Sequence, residues 1–236
     1  MTYEQKFKYN EAEIKVEIEF SKRKHISIIV YPDSRVIVKA PLKSQSQKIN
    51  SLIQKKLHWI TKKLDYFDKL EPILPPREYV NGEIHYYLGR PYKLRILSGK
   101  KTEIKIVDEI FEIKLPNPDD KTKTRKIMLN WYSDRAKELL PERVLEHSPD
   151  FLKMGAGKPV IRFRRMKRRW GSCSNKNIIV FNTELIKASF YCMDYVVIHE
   201  LCHLIHHSHN KKFYSLLQTK MPDWKERKKQ LEKMIL

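Results

Sequence analysis

The sequence predicts an α+β fold, with strands gathered in the first half and helices in the second. Three observations carry this. Ile14, Val16, Ile18 and Phe20 alternate with Glu and Lys, the period-two pattern of a half-buried strand. Ile49, Leu52, Ile53, Leu57, Ile60, Leu64 and Phe67 recur at the spacing of a long amphipathic helix. Pro and Gly clusters then separate further short apolar segments from a C-terminal half with helical periodicity.

Taken in order, residues 26–30 and 36–38 flank Pro32-Asp33-Ser34 and read as a hairpin. Ser44 and Gln47 are placed as a capping box for the helix that follows. Its outward face is rich in lysine, a pattern that more often reflects plain solvation than binding. Pro72, Pro75 and Pro76 break the chain. Strands are expected at 84–88, 92–97, 102–107 and 111–115, with Gly82 and Gly89 at turns. Pro116-Asn117-Pro118 ends this β-rich region. A helix should cover 122–146, with Ile127, Trp131, Leu139 and Val144 on or near one side. Pro141 should kink or split it, because proline lacks the N–H and crowds the preceding turn. Gly155 and Gly157 open a loop. Short strands at 160–163 and 178–181, a buried helix at 191–205 and a basic helix from Trp224 complete the chain.

Charge is the outstanding compositional feature. Lys and Arg number 48 against 28 Asp and Glu, a formal +20. Such a field attracts polyanions, so nucleic acid is an expected partner beside the bland reading of a solvated basic surface. The first eight residues are polar and charged, unlike a signal peptide. No apolar run approaches the roughly 18 residues of a membrane span. Cys173, Cys192 and Cys202 form an odd set without framework spacing, which fits a reducing cytoplasm.

The string that carries chemistry is His199-Glu200-Leu201-Cys202-His203. Residues i and i+4 share one helical face, so both imidazoles can reach one Zn²⁺. Glu200 lies about 100° round the helix from His199, beside the metal without ligating it. From there its carboxylate can take a proton from a zinc-activated water and return it to a leaving group. The apolar run 195–198 predicts a buried helix, where such polar groups are costly unless paired or metal-bound.

A third ligand is still needed. His206 would continue the same helix, about 10.5 Å of rise from His199, and would converge poorly on a tetrahedral ion. Ser208-His209-Asn210 suits a turn that brings the chain back, so His209 is the expected third ligand. His206 and His207 are placed as exposed or supporting, with Glu226 or Asp223 as the lesser alternative.

A second string is basic. Arg162, Arg164, Arg165, Lys167, Arg168 and Arg169 crowd into eight positions and lead into Trp170. They read as phosphate contacts with Trp170 as a stacking platform, or equally as a solvated strand with a core Trp. Cys173 is not needed as a ligand, and Cys192 and Cys202 fit the core.

These strings resemble the YgjP-like family of metal-dependent hydrolases. The matching pieces are Arg169-Trp170-Gly171-Ser172-Cys173, residues 195–204, His209 followed by Phe213, and residues 221–227. Residues 36–41 and Tyr87-Leu88-Gly89-Arg90 extend the resemblance over roughly 14–232. It implies a zincin-like metallopeptidase domain with an N-terminal β-rich extension. The β-rich region would span 1–118 and the catalytic region 119–236, as one integrated domain. SprT-like and WLM-type proteases, which are similar and act on proteins crosslinked to DNA, imply a third histidine ten residues after the first, here His209. One departure is the histidine-rich segment 206–209.

The expected function is a zinc endopeptidase that acts on protein or peptide substrates, with nucleic acid as an expected partner. Substrate would pair with an edge strand at 178–182. Some family members are described as UTP pyrophosphatases, so a nucleotide or phosphoester hydrolase is the second reading. There the 162–169 cluster would hold phosphates, but the sequence lacks an evident carboxylate cluster for Mg²⁺. A non-catalytic nucleic-acid-binding protein with structural zinc is the third, and Glu200 argues against it because a structural site needs no general base.

Overall fold

The computed structural model describes residues 2–10, 12–31, 34–68, 77–167 and 169–234. The Pro32-Asp33 turn, the Phe67 side chain, the Pro72–Pro76 break and Arg168 lie outside the described residues. The chain forms two compact units, Met1–Pro75 and Pro76–Met234.

The first unit contains strands β1 (Thr2–Tyr9), β2 (Ala12–Ser21), β3 (Ser27–Val30) and β4 (Val36–Pro41), followed by helix α1 (Ser46–Asp68). The sheet order is β1-β2-β4-β3, with β2 and β4 parallel and the outer pairs antiparallel. The expected β3–β4 hairpin is present, pairing Ile28 with Val38. Val16, Ile18, Val36, Val38 and Ala40 meet Ile49, Ile53, Leu57 and Ile60 of α1 in an apolar core. The helix starts later than a Ser44 cap requires. The Ile49 N–H donates to the Gln45 carbonyl at 3.2 Å, so Gln45 takes the cap position. β1 was not expected, because its side chains are mostly exposed and polar.

The second unit begins with β5 (Ile84–Tyr87), β6 (Arg90–Ser98), β7 (Glu103–Val107) and β8 (Ile110–Leu115), then α2 (Lys121–Lys153). Its sheet order is β5-β6-β8-β7, again with the inner pair parallel. This is the arrangement of the first unit repeated, four strands and a helix. The repeat is too diverged to stand out in the sequence. Residues 84–115, grouped by the sequence with the N-terminal region, share one core with the helices that follow.

α2 is one continuous helix through Pro141 and Pro149, so Pro141 does not split it. Its buried side recurs every fourth residue, through Thr124, Met128, Tyr132, Ala136, Leu140, Val144 and Ser148. The carbonyls that each proline leaves without an i+4 donor belong to Lys137 and Leu145. Both residues are exposed, so water can satisfy them and the packed face holds the helix together.

Beyond α2 lie β9 (Val160–Phe163), β10 (Gly171–Cys173) and β11 (Ile178–Phe181), in the order β10-β11-β9. The segment expected to be an edge strand, 178–182, supplies the central strand, with β9 parallel on one side and β10 antiparallel on the other. β10 was missed because three residues are too few to show a period. A 3₁₀ helix (Thr183–Lys187), α3 (Phe190–His203), α4 (Lys211–Lys220) and α5 (Trp224–Glu232) follow. Among the described residues no helix is long and apolar enough to cross a membrane.

Candidate metal centre

α3 is positioned at its N-terminus. Ser189 caps it, accepting from the Cys192 N–H at 3.4 Å. The β5–β6 turn fastens the same place: the Leu88 and Gly89 N–H groups donate to the carbonyls of Ile186 and Lys187, each at 3.0 Å. Gly89 has φ +79°, and a Cβ there would stand 2.8 Å from the Ser189 Cβ. Only glycine allows so close an approach in that conformation.

His199 and His203 sit one turn apart on α3, and both face His209, which lies just before α4. The His209 Nε2 is 3.0 Å from the His199 Nε2 and 3.1 Å from the His203 Nε2. Two nitrogens bound to one tetrahedral zinc at about 2.0–2.1 Å lie roughly 3.3–3.4 Å apart. The three rings therefore already hold a spacing close to that of metal ligands. The His203 Nδ1 lies 3.1 Å from the His206 carbonyl, which can only accept, so Nδ1 carries the proton and Nε2 presents a lone pair. With His199 and His209 in the same tautomer, a cation between the three Nε2 atoms would remove the repulsion of their lone pairs. This donor set fits a metal ion, and the three residues are the one such cluster among the described residues.

Electrostatics agree. Burial pushes the His199 imidazole down to about 3, with His203, His209 and Lys228 adding to the shift. Burial lowers His203 and His209 as well. The triad is thus neutral near pH 7, the state in which imidazole binds a metal.

Glu200 is 4% exposed, and its Oε2 is buried without a hydrogen-bond partner among the described residues. Burial pushes its carboxyl up to about 8, while the Arg169 charge pulls it back. An acid with that affinity can both accept and release a proton near neutral pH. Gly171 of β10 packs directly on it: an added Cβ would lie 2.6 Å from Glu200 Oε1 and 2.9 Å from Cγ.

Several supporting residues have roles that sequence reasoning missed. Phe213 of α4 is fully buried, with its ring 5.0, 4.5 and 4.7 Å from the rings of His199, His203 and His209. Asn210 caps α4 by accepting from the Phe213 N–H at 3.0 Å, which fixes the turn carrying His209. His209 also stacks on Tyr214 at 6.1 Å, and Tyr214 stacks on Trp224 at 5.6 Å. Asn210 followed by Phe213 is a readable cap, but ring stacks between helices leave no periodic trace.

Buried Asn182 organises the basic string. Its Nδ2 donates to the carbonyls of Met166 at 2.7 Å and Arg169 at 2.9 Å, and its backbone N–H donates to Trp170 O at 2.8 Å. Arg162, Arg164, Arg165, Lys167 and Arg169 are exposed, and Trp170 packs partly against the core. Arg165 lies 3.5 Å from Glu184. His206 is half-buried and His207 exposed. Asp223 pairs with Arg227 at 3.0 Å, and neither it nor Glu226 joins the triad. Cys173 is half-buried, and burial followed by the Glu200 charge pushes its thiol up to about 11. Cys192 and Cys202 are buried.

Comparison with known proteins gives two levels of similarity. The metallopeptidase zymogen abylysin of Pyrococcus abyssi is 29% identical over 38% of this chain and 90% of that chain, with a TM-score of 0.34. The metallopeptidase zymogen jannalysin of Methanocaldococcus jannaschii is 22% identical over 41% of this chain and 97% of that chain, with a TM-score of 0.35. No curated protein matches. The model of the YgjP-like metallopeptidase domain matches residues 24–234, nearly the whole chain, which therefore belongs to the YgjP-like metallopeptidase family.

Proposed function

We propose that the chain is a zinc-dependent endopeptidase in which His199, His203 and His209 hold the metal and Glu200 is the general base and acid. The observation that carries this is the convergence of three neutral imidazole nitrogens beside a buried, unpartnered carboxylate. Zinc held there would polarise a carbonyl and lower the pKa of water. Glu200 takes the proton from the attacking water and passes it to the leaving amine. Gly171 gives Glu200 room, and Phe213 screens the inner side of the triad from water. Three histidines favour zinc over Mg²⁺, which prefers oxygen ligands.

An edge strand next to the general base is where extended substrate would pair, and β10 has that place. Arg162 of β9 and, after it in the sequence, Arg164, Arg165, Lys167, Arg168, Arg169 and Trp170 precede β10. Their charge is suited to phosphate, so the substrate would be a protein met at nucleic acid.

The test compares wild type with Glu200→Gln on gel-resolved cleavage of a DNA-binding protein, with and without DNA. Cleavage that is lost in the variant and stimulated by DNA is expected. A variant as active as wild type would refute the role of Glu200. Hydrolysis of nucleoside triphosphates in place of protein would make the centre a nucleotide pyrophosphatase.

A further inference from the structure

The outward face of α1 has a composition that solvation alone does not explain. Trp59 is 41% exposed. All four of its helical neighbours, at i−4, i−3, i+3 and i+4, are lysines: Lys55, Lys56, Lys62 and Lys63. Such neighbours stand about 5–6 Å apart at Cβ. Between Ser46 and Leu64 the helix carries five lysines and no acid. Lys55, Lys56 and Lys62 are exposed. The opposite face is fully committed, with Ile49, Ile53, Leu57 and Ile60 buried against the sheet. The second unit treats its matching helix differently. α2 packs both on its sheet, through Phe111 with Trp131 and Tyr132, and on α3, through Arg143 with Asp194 at 2.7 Å.

We propose that this face of α1 is a docking surface for single-stranded nucleic acid, with Trp59 stacking on an unpaired base and the surrounding lysines holding phosphates. The arrangement matches what a strand without pairing partners requires, a π-face inside a ring of cations. Duplex DNA keeps its bases stacked and would leave the indole unused. An acidic peptide would pair the lysines but not the ring. A membrane surface would need several apolar side chains on the outer face, and Gln47, Ser51, Gln54 and His58 stand there beside Trp59. This rests on the reading that the enzyme works at nucleic acid, and it adds a contact on the first unit that is separate from the basic loop of the second.

The experiment measures binding without turnover, so it does not depend on the peptidase assignment. The full chain is titrated into a fluorescein-labelled oligothymidylate of about 20 nucleotides, long enough for one such site. Trp59→Ala should weaken binding about tenfold or more, and Trp59→Phe should restore most of it. Replacing Lys55, Lys56 and Lys62 together by Gln should flatten the salt dependence by about 2 in slope. Circular dichroism confirms that α1 is retained in each variant. Wild-type affinity and slope in both the tryptophan and lysine variants would overturn the proposal, as would a Trp59 effect confined to phosphatidylserine vesicles or to duplex DNA.

Discussion

The two units share one scaffold and use it in opposite ways. Each is a sheet of order 1-2-4-3 followed by a helix. In the first, the described core is wholly apolar. The polar residues buried as a whole are, among the described residues, all in the second: His85, Thr124, Ser148, Asn182, Thr183, Asp194, Glu200 and His203; the first buries single polar atoms, Arg23 Nε and Asn50 Oδ1. The tight hairpin turns differ likewise. Asn10 turns the first hairpin with φ 53°, while Leu88-Gly89 turns the second and grips the approach to α3. Wholly buried polar residues thus gather in the copy that has a longer helix and a further layer around it.

The largest expected effect separates the units by their metal. His203→Ala should abolish metal binding, read as metal per chain by mass spectrometry, and leave the first unit's fold unchanged. A variant retaining one metal per chain would place the site elsewhere. Acid should act on the same unit. In the metal-free protein the triad imidazoles lie below their unfolded value, so the unfolded chain binds more protons between about pH 3 and 6.5. The stability from the neutral triad is present above about 6.5 and lost as pH falls. Glu200 has the opposite sign. Its folded value is about 8, so its contribution is lost as pH rises through 8. Thermal midpoints of the metal-free protein should peak near pH 6.5, and Glu200→Gln should remove the decline on the alkaline side. A decline unchanged in that variant would assign it to another group.

The contrast was only half legible in the sequence. The strands at 14–20, 84–88 and 111–115 were visible because one buried face imposes a period, and the helix at 191–205 because it is apolar all round. The histidine spacing was visible because helix geometry brings residues 199 and 203 together, and the turn at His209 follows from where a third ligand must come. The placement of 178–182 at an edge was wrong because alternation reports burial, and strand order comes from tertiary pairing. Pro141 fails to split α2 for a similar reason: local propensity yields to a face buried along the whole of α2. The support from Gly171, Asn182 and Tyr214 joins residues distant in sequence and has no local signature.

Next in size comes the pair of turns. Gly89→Ala adds a Cβ at positive φ and 2.8 Å from Ser189 Cβ. It should cost on the order of 2–4 kcal/mol, from backbone strain plus overpacking. Asn10→Ala, at the matching turn, meets only the backbone cost of about 1 kcal/mol. Denaturant unfolding measures both. Equal losses would mean that the second turn does not act as a lock on α3.

The smallest effect concerns His209, the exposed member of the triad. Its ring is held by Tyr214, and Tyr214 by Trp224, whose Nε1 donates to Gln218 Oε1 at 2.9 Å. Each stacked pair contributes about 0.5–1.5 kcal/mol. Tyr214→Ala should therefore weaken metal affinity roughly fivefold, measured by competition with a chelator. Trp224→Ala should do less, because it acts through Tyr214. Tyr214→Phe keeps the ring and should bind metal as wild type does. Were Phe as damaging as Ala, the hydroxyl and not the stack would be holding His209. Among its described residues the first unit has no comparable histidine cluster, so the ladder is one more feature that sets the second copy of the scaffold apart.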